Sequence, residues 1–368
     1  MKKISLITLH ASKNYGSVLQ AYASQEIFKN FGLDVEVVDF IREDTMDKNL
    51  YMSYAKKSLP LFITKIVLFP TIFKWKKVFR GFVVANLNLT SITYTNSEDF
   101  HKYPVIADIY CVGSDQVWNS GWNKGIIESL FLSYAQVGKL MFSYASSFGK
   151  NELEEWEKVK IKQLFERFNA ISVREKSAVN IVSELGYKAI NVLDPTMMMD
   201  RQYWRGFAGK RKIKEPYILI YKLNNDKFFD RHIKSLAKNC GKALYRLCTR
   251  YDQMIKTGKS ILIPEVRDFV NYIAYSDCVI TDSFHATAFS INMNIDFICK
   301  LPKKYSNRIS DMLETTGLLN RIANDYQEYL SLYNEKINYI GINDIIASER
   351  SKAIEFLNEQ LMKANNNE

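Results

Sequence analysis

A single histidine, His285, stands where an apolar run gives way to a helical pattern, and polar residues precede it. It is one of four histidines in the chain, and the stretch VITDSFHATAFS places Asp282 and Ser283 just before it. An imidazole here is either a catalytic proton donor or a buried ring that bonds a backbone carbonyl. A lone histidine is more often structural, but a polar trio at a strand end favours a functional site. We therefore predict that all three are site residues.

Cations gather at another predicted junction between a strand and a helix. The stretch SVREKSA carries Arg174, Lys176 and Ser177, with Glu175 between the two cations. A guanidinium, an ammonium and the N–H groups of a helix start all favour negative charge, so this is a candidate anion site. The alternative is a surface pair of Arg174 with Glu175 and a capping role for Ser177. The position at a strand end favours the anion site.

A third group of cations lies in KLPKKYSNRIS, where Lys303, Lys304 and Arg308 precede a further predicted helix. Runs of charge are usually solvated surface. Arg308, next to the predicted helix start, is the member expected to face a ligand.

Indoles and polar groups occur together after another predicted strand. IYCVG runs into SDQVWNSGWN, which places Asp115, Gln116 and Trp118 at the strand end. A sugar ring has apolar faces and hydroxyl edges, so polar groups beside an indole suit it. The alternative is that Trp118 and Trp122 wedge between two domains.

Two further strand ends carry small or polar residues. The first strand leads into HASKNYGSVLQAYA, with Asn14, Tyr15 and Ser17 at the turn into a helix. They are candidates for ligand contact, and a simple turn with Ser17 as the helix cap is the alternative. SYASSFG, residues 143–149, fits either close approach of a ligand or tight packing.

Several chemistries lack support in the sequence. The chain has no HExxH, GxSxG, GxGxxG or P-loop pattern and no ladder of carboxylates, so we predict no metal site and no serine hydrolase. The five cysteines are odd in number and widely spaced, which indicates reduced thiols in a cytoplasmic protein. The N-terminal apolar run is too short for a signal peptide and is interpreted as the first strand.

The elements that must position these residues alternate between short apolar runs and amphipathic stretches, which predicts parallel sheets with crossover helices. A length of 368 residues favours two domains. The first domain has the predicted strands ISLITLH, DVEVVDF, IADIYCVG, LMFSYASS, ISVR and INVLD. The second has YILIYKL, ALYRLCT, SILIP, CVITD and DFICK.

We predict an α/β fold of two Rossmann-like domains that face one interdomain cleft. The first covers 1–205 and the second 212–325, and a helical segment at 326–368 returns to the first domain. DPTMMMDRQYWRGFAGKRKIKEP is the predicted linker. Ligands of open parallel sheets bind beyond the carboxyl ends of the strands, so the cleft is the expected site.

The net charge of +10 is concentrated in one segment. Eight Lys or Arg and no Asp or Glu occur from Lys48 to Ser97, a basic and apolar insertion at about 48–97. No run of ~20 apolar residues is uninterrupted there, so no transmembrane helix is expected. The segment, with Trp75, suits either an interfacial element on anionic lipid or an amphipathic insertion packed on the first domain. It is too apolar for a typical nucleic-acid surface, and we expect no nucleic-acid partner.

The chain resembles the polysaccharide pyruvyl transferase family over roughly residues 5–318. The resemblance rests on seven motifs in one order: NYGSVLQAYA, VGSDQVWN, YASSFG, SVREKSA, VLDPT, SDCVITDSFHATAFSINMNIDFI and RISDMLETTGL. It implies a GT-B-like arrangement, with the acceptor on the first domain and the donor on the second. It also implies phosphoenolpyruvate as donor substrate, no cofactor, and a sugar or lipid-linked oligosaccharide as acceptor.

One family motif is incomplete. The donor motif of the family commonly reads Arg-Leu-His, and the matching positions here are Ser283, Phe284 and His285. The histidine matches and the arginine does not. Cations of the KKYSNR stretch, Lys304 and Arg308 among them, are candidates for the missing charge.

The resemblance also implies a mechanism. The methylene carbon of phosphoenolpyruvate is protonated, a sugar hydroxyl attacks, phosphate leaves and a second hydroxyl closes a ketal. His285 is the predicted acid, because an imidazole titrates near pH ~6.5. Asp115 or Asp282 would take the hydroxyl proton. The phosphate and carboxylate would be held by Arg174, Lys176 and Arg308.

Two alternatives remain at this stage. A GT-B glycosyltransferase that uses a nucleotide sugar would have the same two domains. Glu265 is a candidate to bind the ribose of that nucleotide sugar. A non-catalytic carbohydrate-binding relative would follow from the departure at positions 283 and 284.

Overall fold

The chain folds into two α/β units, seen in a computed structural model that describes residues 1–46, 61–224, 226, 229–302 and 306–366. Unit 1 comprises Met1–Ile72, Phe79–Met198 and Ser348–Glu368, and unit 2 comprises Phe73–Val78 and Met199–Ala347. Each unit has its own five-stranded parallel sheet. The predicted α/β class with two Rossmann-like sheets is confirmed.

Unit 1 is built on five strands: β1 Lys3–Ile7, β2 Asp34–Phe40, β3 Leu89–Tyr94, β4 Ile109–Val112 and β5 Leu140–Ser143. They lie in the order β3-β2-β1-β4-β5 and are parallel throughout. Every residue of β4 and β5 is buried, as expected of parallel strands whose two faces are both covered. A separate parallel pair is formed by β6 Ile171–Val173 and β7 Ala189–Asn191.

The first helix of unit 1, Tyr15–Asn30, connects β1 to β2. It begins after Asn14, whose Oδ1 accepts a hydrogen bond from the Gly16 amide at 2.8 Å. Gly32 follows its end with φ of +76°, a backbone conformation that favours glycine. The other helices and turns of this unit are Glu43–Thr45, Gly81–Asn86, Ser97–Lys102, Ser120–Asn123, Glu128–Phe131, Glu155–Phe165, Lys176–Glu184 and Pro195–Met198.

Unit 2 repeats the plan with β8 Tyr217–Tyr221, β9 Ala243–Cys248, β10 Lys259–Leu262, β11 Cys278–Thr281 and β12 Phe297–Cys299. The strand order is β10-β9-β8-β11-β12, again all parallel. The five strands predicted from the sequence coincide with these. Its helices and turns are Arg201–Ala208, Phe229–Asn239, Tyr251–Ile255, Val266–Ala274, Phe284–Asn292, Asn307–Thr315, Leu319–Arg321 and Tyr326–Asn334.

The stretch predicted as a linker is largely helical. It contains Pro195–Met198 and Arg201–Ala208. The second helix starts at Asp200, whose Oδ1 accepts from the Tyr203 amide at 2.7 Å. Its Trp204 is fully buried and packs edge-on to Phe289 at 4.9 Å. An indole buried in this way anchors the second half of the stretch to unit 2, and the division between unit 1 and unit 2, Met198 to Met199, lies within the stretch.

The last helix, Ile340–Asn366, belongs to unit 1 from Ser348 onward. There Phe356 packs edge-on to Phe142 of β5 at 6.3 Å. Arg350 donates a hydrogen bond from Nε to the Met197 carbonyl at 2.7 Å. The predicted return of a C-terminal helix to the first domain is confirmed.

Only part of the basic insertion predicted at about 48–97 can be described, because residues 47–60 lie outside the described ranges. The remainder begins with an α-helix, Leu61–Trp75, that continues as a π-helix, Lys76–Arg80. Trp75 is 2% exposed and donates from Nε1 to the Thr249 carbonyl at 2.6 Å. Within the described residues, no helix has the length and apolar character needed to cross a membrane.

Candidate functional site

Asp115 lies at the carboxyl edge of the unit 1 sheet, directly beyond β4. Its φ is +74°, and Ala145, just beyond the neighbouring β5, has φ of +52°. Strained backbone of this kind concentrates at functional sites. The carboxylate accepts hydrogen bonds from Ser17 Oγ at 2.5 Å and from the Gln116 amide at 2.9 Å. The start of the first helix and the end of β4 are therefore joined through Asp115.

Arg174, which follows β6, is surrounded by carboxylates. Its Nη1 lies 2.6 Å from Asp194 Oδ2, its Nη2 3.6 Å from Asp115 Oδ1 and its Nε 4.0 Å from Glu175 Oε2. Burial alone would lower the pKa of this guanidinium, but Asp194, Asp115 and Glu175 together raise it. Three carboxylates around one guanidinium leave no excess positive charge, so this geometry favours a structural role for Arg174.

The two other residues of the predicted anion site lie in the first turn of the helix that follows Arg174. Lys176 is exposed and Ser177 is half-buried. The residue at the N-cap position is Glu175, so Ser177 is not the cap. Of this group, Lys176 is the cation placed at the surface.

Glu175 also fixes the SYASSFG stretch. Its Oε1 accepts hydrogen bonds from Ser147 Oγ at 2.7 Å, from the Phe148 amide at 3.1 Å and from the Gly149 amide at 3.0 Å. All residues from 143 to 149 are buried. Of the two interpretations of this stretch, the structure supports tight packing.

Two predicted acceptor residues are in the core instead. Trp118 is 2% exposed, stacks on Phe131 at 5.4 Å and donates from Nε1 to the Leu130 carbonyl at 2.9 Å. Tyr15 is fully buried and its ring lies 4.9 Å from that of Phe79. Neither ring has a face open to a sugar, so the prediction that they bind the acceptor is corrected.

Asn14 and Gln116 lie nearer the surface of unit 1, both half-buried. Asn14 caps the first helix, as described above. Gln116 Oε1 accepts from Asn119 Nδ2 at 2.7 Å. The exposed indole in this region is Trp122, at 55%.

In unit 2, His285 lies in the first turn of the helix Phe284–Asn292, and Ser283 occupies the N-cap position. The imidazole is edge-on to the Phe284 ring, with centroids 5.1 Å apart. The guanidinium of Arg308 lies 5.7 Å from the centroid of the same ring. His285 and Arg308 thus each lie against the Phe284 ring, at a helix start on the carboxyl edge of this sheet.

Asp282 holds the loop that follows β8. Its Oδ1 accepts from the Leu223 amide at 2.7 Å, and its Oδ2 accepts from the Asn224 amide at 3.0 Å and from Lys222 Nζ at 3.1 Å. Both oxygens are engaged by donors and the residue is 3% exposed. This geometry gives Asp282 a positioning role, because its carboxylate fixes the loop that follows β8.

Replacing Asp282 with asparagine is expected to destabilise unit 2 by about 1–3 kcal/mol, because an amide NH₂ would face donors and Lys222 would lose its counter-charge. Urea unfolding measures the loss. The folded fraction should keep most of its turnover number. A turnover number that falls by orders of magnitude at unchanged stability would instead identify Asp282 as the base.

Lys304, predicted to bind the donor, lies outside the described residues, as does Lys303. A network that no sequence pattern indicated joins His10, which follows β1, to Asp39 of β2. There the imidazole of His10 lies 3.1 Å from the Asp39 carboxylate, and Arg80 clamps that carboxylate through both Nη atoms at 2.6 and 2.7 Å. Burial would raise the pKa of Asp39, but hydrogen bonds from His10 and Arg80 lower it well below its usual value. Arg80, which is half-buried, is therefore paired within unit 1.

Comparisons with known proteins were made for the sequence and for the fold. The family model described as polysaccharide pyruvyl transferase matches residues 14–303. No curated protein matches the sequence.

The similar solved structures include UDP-GlcNAc 2-epimerase from Methanocaldococcus jannaschii, with a TM-score of 0.51, 11% identity and 91% of this chain and 93% of that chain covered. UDP-GlcNAc 2-epimerase from Neisseria meningitidis bound to UDP-GlcNAc has a TM-score of 0.51 and 11% identity, with 99% and 100% covered. AviGT4, a glycosyltransferase involved in avilamycin A biosynthesis, has a TM-score of 0.53 and 10% identity, with 99% and 98% covered. At such identities the likeness shows the fold alone, which is of the GT-B type.

Proposed function

Because the chain belongs to the polysaccharide pyruvyl transferase family, we propose that it transfers the enolpyruvyl-derived group of phosphoenolpyruvate to two hydroxyls of a sugar. The product is a pyruvate ketal on a galactose-type residue of a surface polysaccharide or its lipid-linked precursor. The observation that carries the proposal is the grouping of His285, Phe284 and Arg308 at a helix start in unit 2.

The donor is a small dianion or trianion, and this corner of unit 2 has the matching chemistry. A helix start offers N–H groups and positive potential to phosphate. Arg308 adds a guanidinium, which suits carboxylate and phosphate oxygens. The family commonly has arginine and leucine before the histidine, whereas this chain has Ser283 and Phe284. We propose that the Phe284 ring holds Arg308 beside His285 and so replaces the missing arginine.

The proposed reaction balances with two hydroxyls and one acid. His285 gives a proton to the methylene carbon, and the first hydroxyl bonds to the adjacent carbon as it loses its own proton. The carbon–oxygen bond to phosphate then breaks, and the second hydroxyl closes the ketal. One of the two hydroxyl protons restores His285, and the other leaves with the phosphate. No metal or cofactor takes part in this scheme.

The direct test is incubation with phosphoenolpyruvate and β-galactosides, and separately with nucleotide sugars. We expect release of one phosphate for each product that is heavier by pyruvic acid less water. The mass and the phosphate together identify ketal transfer. Cleavage of a nucleotide sugar without phosphoenolpyruvate would instead support a glycosyltransferase, and saturable sugar binding without turnover would support a carbohydrate-binding relative.

We also propose that the enzyme is cytoplasmic and that it contacts anionic membrane through the described part of the basic insertion. Three side chains at helical spacing are exposed there, Ile66 at 58%, Phe69 at 58% and Phe73 at 63%. Apolar residues on one helix face with lysines nearby suit an interfacial helix. Trp75, buried as described, is not part of this surface.

Exchange of Lys65, Lys76 and Lys77 for glutamate is expected to weaken binding to phosphatidylglycerol vesicles by about a hundredfold, since each cation near such a surface contributes ~1 kcal/mol. Flotation measures the bound fraction. Arg80 is left in place because it pairs with Asp39. Lys188→Glu, an exposed lysine elsewhere in unit 1, is the control, and equal binding by both variants would contradict membrane contact.

A further inference from the structure

An exposed indole stands at the carboxyl edge of the unit 1 sheet. Trp122 is 55% exposed and belongs to the four-residue helix Ser120–Asn123, which begins eight residues after β4 ends. The segment between them carries Asp115 and Gln116. Ligands of parallel sheets bind at this edge, so the indole is on the side of the unit where a substrate is expected.

The short helix is fixed from several directions. Asn119 Oδ1 accepts from the Trp122 amide at 2.9 Å. Asn123 Nδ2 donates to the Val117 carbonyl at 2.8 Å. Arg42, which follows β2, donates to Asn123 Oδ1 at 2.5 Å and to the Trp122 carbonyl at 3.4 Å. An exposed ring on a backbone held in this way loses little conformational freedom when a ligand stacks on it.

We propose that Trp122 is the platform on which the acceptor sugar stacks. This inference rests on the proposed function for the role of that sugar as acceptor. A pyranose has a face of C–H groups that packs on an indole, while its hydroxyl edge needs polar partners. Gln116, half-buried, provides an amide in the same segment, and buried Asn119 holds that amide in place through a hydrogen bond.

The surroundings of Trp122 favour a sugar over an apolar partner. Its exposed neighbours in the chain are Gly121 and Lys124, so the indole is not part of a run of exposed apolar residues. Large apolar patches mark protein and membrane contacts. A single exposed indole, with the half-buried amide of Gln116 and the exposed Lys124 in the same segment, has the composition of a carbohydrate site.

Intrinsic fluorescence tests the inference without the donor. Of the five tryptophans, Trp75, Trp118 and Trp204 are buried, and only Trp122 and Trp156 are among the exposed large hydrophobics, at 55% and 52%. Trp156 lies in the same unit and donates from Nε1 to Glu154 Oε2 at 2.6 Å. Trp156→Ala is therefore a matched control for Trp122→Ala.

We expect methyl β-galactoside, lactose or another glycoside of a small panel to shift the emission of the wild type and of Trp156→Ala in a saturable way. Trp122→Ala should lose the shift, and Trp122→Phe should retain weakened binding by calorimetry. In the transfer assay, Trp122→Ala should raise the acceptor KM about tenfold and leave the phosphoenolpyruvate KM unchanged.

The outcomes separate this inference from the proposed function. If sugar binding depends on Trp122 but the protein transfers no pyruvate, the stacking role of Trp122 is supported and the proposed reaction is contradicted. If pyruvate is transferred and the acceptor KM is equal in Trp122→Ala and Trp156→Ala, the proposed reaction is supported and the stacking role of Trp122 is contradicted. A wild type whose emission responds to no glycoside of the panel would also overturn it.

Discussion

Replacing His285 with alanine is expected to lower the rate of ketal formation by roughly two to four orders of magnitude, the usual contribution of a positioned general acid. The reason is that protonation of the methylene carbon creates the electrophilic centre on which both hydroxyls act. The KM for phosphoenolpyruvate should change less than the turnover number, because Arg308 and the helix start remain in place to bind the donor. Phosphate release and product mass measure the effect.

The buried position of His285, 5% exposed, requires a check on folding. His285→Gln keeps polar atoms in place and serves as a second variant, and thermal unfolding of both shows whether they are folded. His232, half-buried in the same unit, provides His232→Ala as the matched control, with turnover close to that of the wild type. A folded His285→Ala protein that keeps near wild-type turnover would remove His285 from the mechanism.

The fold could be predicted from the sequence because its strands are short apolar runs with polar ends. Eleven of the twelve strands in the described part of the chain were predicted, and DVEVVDF matches β2 residue for residue. The strand β3, LTSITY, was not predicted because it lies at the sheet edge and carries polar residues, of which Ser91 and Thr93 are exposed. The predicted linker contains the division between the units, Met198 to Met199, but its composition did not indicate its two short helices or the burial of Trp204.

The candidate site could be predicted only to the level of the strand end. The pattern indicates that Asp115, Arg174 and His285 follow strands, and a parallel sheet places such residues at the carboxyl edge of the sheet to which their strand belongs. It does not indicate which side chains turn inward. Trp118 and Trp122 are four residues apart in similar surroundings, yet one is stacked in the core and the other is exposed. That choice depends on packing against distant residues, which no local pattern contains.

The second large effect is expected from Arg174. Exchange for methionine, which has a similar length and no charge, would leave the carboxylates of Asp194, Asp115 and Glu175 buried without the guanidinium that stabilises them. Breaking a buried ion pair in this way costs about 3–5 kcal/mol. Urea unfolding at neutral pH measures the loss, and Lys188→Met, an exposed cation of the same unit, should cost almost nothing.

A double variant tests the physical cause. Asp194 is the nearest carboxylate to Arg174 and also accepts hydrogen bonds from Thr196 and Ser114. Adding Asp194→Asn to Arg174→Met removes one of the buried carboxylate charges that the first substitution leaves without a cation. The double variant should therefore lose less free energy of unfolding than the sum of the losses in the two single variants. Additive losses would show that the pair is not coupled. An Arg174→Met protein as stable as the wild type, but with weakened phosphoenolpyruvate binding, would restore Arg174 to the donor site that its position after β6 first suggested.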